Sequence, residues 1–188
     1  MRPLLITLLA VTLAACTSDE AGDGTLAPDS VVVEGDTMAA VGDPGLTAAQ
    51  TDSLLALGYP VLVPSDPGAF RLDSAEVEAE PPYYSLYYGR DDGACVTITG
   101  ATEGFGGPGL PEDSLVVEIP ALGRTLALHH AVTPDDAESW GEGAIISEWL
   151  DLDGMLVHVI TRDEGACRGL PMDEAAAFVG GLRTLAAE

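Results

Sequence analysis

Tyr83-Tyr84-Ser85-Leu86-Tyr87-Tyr88, then Asp91-Asp92-Gly93, then Ala94-Cys95-Val96-Thr97-Ile98-Thr99 read as one β-hairpin. Both arms are aromatic or β-branched, and the acidic pair with glycine between them supplies a turn. Strand alternation puts Val96 and Ile98 on one face and Cys95, Thr97 and Thr99 on the other. It likewise splits the tyrosines into two pairs, one for a core and one for water or a ligand.

The same period of two continues on either side of the hairpin. Upstream, Phe70 and Leu72 alternate with Arg71 and Asp73 and lead into an acidic strand around Val77, whose charges suit a sheet edge. Downstream, Leu115–Ile119, Arg124–His130, Ala144–Leu150 and Met155–Thr161 are strands, with turns at Pro120–Gly123 and Asp151–Gly154. Between them lie a Gly/Pro-rich loop over 100–113 and an acidic loop over 133–143 that carries Trp140. Two helices bracket the strands. Thr47–Leu57 has Thr47 or Asp52 as its cap and stops at Gly58. Pro171 to about Ala187 has Asp173 and Glu174 at its positive end and an apolar stripe of Phe178, Val179, Leu182 and Leu185. Strand and helix do not alternate, so the class is α+β: a curved antiparallel meander with the C-terminal helix packed on one face.

The surface is strongly acidic. The 188 residues contain 31 Asp+Glu, 7 Lys+Arg and no lysine, for a formal charge of -24. Nucleic acid is therefore not an expected partner, because binding it requires clustered cations. A saline habitat accounts for this acidity better than a divalent-cation site does, since no loop has calcium-ligand spacing. His129 and His130 are neighbours and point to opposite faces of a strand, while His158 sits between Leu156 and Ile160 on its own face. No zinc motif, serine elbow or phosphate loop occurs, and neither a metal nor another cofactor is expected.

Ahead of the domain, Arg2 precedes an apolar run from Leu4 to Leu13 that is too short to span a bilayer. Its end, Leu13-Ala14-Ala15-Cys16, resembles the lipobox of bacterial lipoproteins. That resemblance implies a signal peptide over residues 1–15, diacylation of the Cys16 thiol with acylation of the new amino terminus, and attachment to a membrane of the cell envelope. The outer membrane or cell surface is expected rather than the inner membrane. Residues 16–45 then read as the lipidated cysteine and an acidic tether with an r.m.s. reach of roughly 30 Å, and 46–188 as a single domain. In an oxidising compartment Cys95 and Cys167 form an even pair and are expected to be joined.

Pro60-Val61-Leu62-Val63-Pro64, the Pro67-Gly68-Ala69-Phe70 strand start, the tyrosine strand and the closing helix together resemble a group of bacterial envelope domains. Those domains are related in shape to the half-barrels of lipoprotein carriers and sigma-regulator sensors. The resemblance spans Tyr59 to Leu185 and implies binding or sensing without catalysis. The expected function is thus a lipid-anchored envelope protein whose domain holds an apolar ligand or an envelope partner protein. Tyr83, Tyr84, Tyr87, Tyr88 and Trp140 are the candidate contacts. Two alternatives are an envelope hydrolase using His129 or His158 with a carboxylate, and a purely structural surface lipoprotein.

Overall fold

The computed structural model describes residues 45–104 and 108–186. The signal, Cys16 and the tether lie outside the described residues. The domain is α+β, with ten strands and three helices among the described residues.

Strand β2 (Phe70–Ala79), β3 (Pro82–Arg90) and β4 (Cys95–Ala101) form one antiparallel meander. A second one runs through β5 (Ser114–Ile119), β6 (Arg124–His130), β7 (Ile145–Ser147) and β9 (Met155–Thr161). The short β8 (Leu150–Leu152) also pairs with β9. β4 lies against β9, so the sheet order is β2-β3-β4-β9-β7-β6-β5. The meander is therefore double, and the 102–113 connection carries the chain from the middle of the sheet to its far edge. The β8–β9 hairpin turns on Asp153 at φ 52 and Gly154 at φ 90, the left-handed pair that a two-residue turn requires.

Helix α3 (Met172–Gly180) measures the curvature of this sheet. Phe178 packs edge-on against Phe70 of β2 at 5.3 Å and Tyr88 of β3 at 5.8 Å. Two residues on, a Cβ at Gly180 would sit 3.4 Å from the Glu118 carbonyl of β5. β2 and β5 are the two edges, and in a flat sheet six interstrand steps would separate them by about 29 Å. A single helical turn that touches both requires the sheet to curl round it. The sheet is nevertheless open, because β2 and β5 do not pair.

The interior of the curl is filled. Tyr84, Leu86, Tyr88, Ile98, Leu128, Val157, Phe178, Val179 and Leu182 are all buried there. Helix α1 (Ala48–Ala56) adds Leu54, and its start is fixed by a capping box in which Gln50 N–H donates to Thr47 Oγ1 at 3.2 Å and Thr47 N–H to Gln50 Oε1 at 2.8 Å. The Tyr84 ring lies over Gly100, its partner across β3–β4, where any Cβ would overlap the ring.

Three expected elements differ. The strand expected over Ala144–Leu150 is two, β7 and β8, parted at Glu148-Trp149. The C-terminal helix stops at Gly180, and Leu182–Thr184 form β10, which pairs with β1 (Leu62–Pro64). Leu182 and Leu185 meet the core from that extended segment, which also supplies the hydrogen bonds that β1 lacks elsewhere. The acidic loop over 133–143 contains helix α2 (Pro134–Trp140), capped by the Thr133 hydroxyl accepting from Asp136 N–H at 3.2 Å.

Candidate functional site

With the inner face packed, the outer face of β3, β4 and β9 is a surface that carries hollows. Strand alternation sends Tyr84 and Tyr88 inward, where both are buried. Tyr84 accepts the Leu62 N–H through its hydroxyl at 3.0 Å, which ties β1 to β3. Both tyrosines are core residues, and Tyr88 also borders the groove that Tyr87 lines. Tyr83 and Tyr87 point outward and are half-buried.

Each outer tyrosine lines its own hollow. Tyr87 borders a groove of ≈ 490 Å³ with Thr97 and Ile160 along its floor and Arg162, Asp73 and Glu164 among its charged lining. Cys95 and Cys167 also line this groove, at disulfide distance with Cα atoms 5.6 Å apart. Tyr83 borders a hollow of ≈ 340 Å³ with Glu76, Glu78 and Glu103. Burial pushes the Tyr83 phenol up, and the nearby carboxylates add to that, so it stays a neutral hydroxyl. Between the two hollows the Ser85 and Thr99 hydroxyls meet at 3.1 Å, both buried.

A dense ion network frames the groove end. Asp92, on the β3–β4 turn, accepts from Arg90 Nε at 2.9 Å and from Arg168 Nη2 at 2.5 Å. Arg90 also reaches Glu174 of α3 at 2.6 Å and lies over the Phe70 ring at 5.1 Å. The guanidinium of Arg90 holds the Asp92 carboxyl well below the usual carboxylate range. Half of the six arginines of the domain thus serve the β3–β4 turn, counting Arg71, which pairs with Asp91. The network, with Cys167 at disulfide distance from Cys95, holds the 162–170 loop against the sheet and fixes the groove wall.

The histidines fall as the strand pattern requires. His158 is packed on the outer face with Trp149 against it at a ring separation of 4.2 Å, and burial pushes its imidazole down to about 4. His129 places Nδ1 on the Pro111 carbonyl at 2.7 Å and turns Nε2 toward Glu148 at 3.6 Å. Among the described residues Nε2 makes no hydrogen bond, and it is buried, so it is closed to solvent. His130 faces Asp113 at 3.5 Å on the other side. Among the described residues no three His, Cys, Asp or Glu converge as metal ligands. Trp140 donates its indole N–H to the Gly109 carbonyl at 3.0 Å, which ties the end of α2 to Gly109.

Arg162, Asp73 and Glu164 were not legible as groove residues. Arg162 could have been found by extending the β9 alternation one step past Ile160; Asp73 depends on a register shift between Leu72 and Ser74. No protein family, curated protein or solved structure matches the chain. Among the described residues no helix is long and apolar enough to cross a membrane.

Proposed function

We propose that this is a lipid-anchored protein of the bacterial envelope whose domain binds a ligand or partner and does not catalyse a reaction. Cys16 carries the lipid, and the acidic tether holds the domain clear of the headgroups. The observation that carries the binding role is the Tyr87 groove: an aromatic ring and Ile160 offer apolar surface, with Arg162 and two carboxylates at its margin. Such a lining suits an apolar group with a polar end. The interior of the curl is filled by α3 and the strand side chains packed against it.

The histidines lend the hydrolase reading no accessible base, since His129 Nδ1 is held on the Pro111 carbonyl with Nε2 buried, and His158 is covered by an indole.

Native mass spectrometry of the full chain, purified from its own host membrane, tests the groove. An added mass that is present on the wild type and lost from Tyr87→Ala supports this reading. An adduct equally retained by Tyr87→Ala places the ligand elsewhere, and hydrolysis of an ester or peptide panel by wild type but not His129→Gln overturns the non-catalytic role.

A further inference from the structure

The two edges of the sheet are treated differently by the sequence. β2 is blunted with Arg71, Asp73, Glu76 and Glu78 and is broken by a register shift, the devices that keep an edge from pairing. β5 carries Ser114-Leu115-Val116-Val117, with no charge in four residues, and its first three are exposed. Val116 is 64% and Leu115 42% exposed, and Leu110 and Val132 nearby in the chain are 40% and 57%.

The ladder also fixes which backbone groups are open. His130 N–H donates to the Asp113 carbonyl, so the hydrogen-bonded pairs with β6 are at 113, 115 and 117. The N–H and C=O of Ser114, Val116 and Glu118 therefore point away from β6. The Glu118 carbonyl meets α3 at Gly180. Ser114 and Val116 are exposed, and among the described residues β5 has no strand on this side.

We propose that the Ser114–Val116 edge docks an extended segment of another protein, carrying alternate apolar and Lys or Arg side chains, as an added antiparallel strand. Charge selects this occupant. Glu112, Asp113 and Glu118 flank the apolar stretch on a molecule of charge -24, so cations on the incoming strand gain where anions lose. A second copy, with Ser114 opposite Val116 of its twin, would set Glu112 against Glu118. The chain's own Asp29-Ser30-Val31-Val32-Val33-Glu34, a near repeat of Asp113–Glu118, would set acid against acid in the same way. This surface is separate from the Tyr87 groove and does not depend on it.

The test uses the detergent-solubilised full chain and two labelled peptides of equal charge, four Val-Lys repeats and four Gly-Lys repeats, at fixed salt. Fluorescence anisotropy should show the Val-Lys peptide binding at least tenfold tighter, with slowed amide exchange at Ser114 and Val116. Val116→Lys, at an exposed position, should remove that preference at unchanged melting temperature, while Glu76→Lys on the other edge should keep it. Equal binding of the two peptides, or a preference that survives Val116→Lys, overturns the proposal. So does protection of the Ser114 and Val116 amides before peptide is added, which means a second copy or residues 29–34 already occupy the edge; sedimentation and deletion of 29–34 separate those two.

Discussion

The Trp149 indole covers the His158 imidazole with ring centroids 4.2 Å apart. That cover excludes water from a group whose charged form needs it, which is why burial pushes His158 down to about 4. In the unfolded chain an ordinary histidine titrates near 6.5.

The consequence is a pH window. Above about pH 6.5 both states are neutral at this site and the fold loses nothing. As the pH falls toward about 4, the unfolded chain takes up a proton that the folded one refuses. Stability therefore drops through the window, by on the order of 3 kcal/mol from this group, and the loss levels off below it. His158→Phe keeps a ring under Trp149 and removes the titration. The stability difference between wild type and variant, from urea melts at constant ionic strength, should be flat above pH 7 and turn against the wild type from pH 6.5 to 4. Parallel curves throughout would contradict the buried neutral state.

Tyr84→Phe leaves the Leu62 N–H without its acceptor in a buried position. The expected loss is about 1–3 kcal/mol, read as a lower urea midpoint with an unchanged slope. Because Leu62 sits opposite Thr184, the amides of β1 and β10 should exchange faster, while those of β3 hold.

A bridge between Cys95 and Cys167, as their distance allows, would close a loop of 72 residues that replacing both by alanine opens. In the chain-entropy account this costs on the order of 4 kcal/mol. Dithiothreitol should lower the melting temperature of the wild type and leave the double variant unmoved. The same variant frees the groove wall, so Tyr87-dependent ligand retention should weaken even where the fold survives at low temperature.

Much of the fold was legible in local pattern. The β3–β4 hairpin, the edge position of β2 and the inward and outward tyrosine pairs all follow from a period of two and a turn. Strand order was not, because a hairpin pattern names only sequence neighbours, and the β4–β9 contact joins residues some 60 apart, such as Thr99 and His158. Helix α2 displays a start signal in Thr133-Pro134-Asp135-Asp136 but buries no residue, so no apolar stripe marked it. Leu182 and Leu185 fit a helical stripe equally well; Gly180-Gly181 ends the helix, and pairing with β1, which among the described residues has no other strand partner, makes the strand the better use of those residues. The Tyr87 groove was half legible, its tyrosine from alternation and its charged margin only from the folded loop.

The measurement that bears most directly on the account is the intact mass of the full chain recovered from its host's membrane fraction. The predicted species begins at Cys16, carries the mass of a diacylglyceryl group and an amide-linked acyl chain, and is two hydrogens lighter than the reduced polypeptide. An unlipidated species retaining residues 1–15, or one recovered from the soluble fraction with both thiols free, would contradict it.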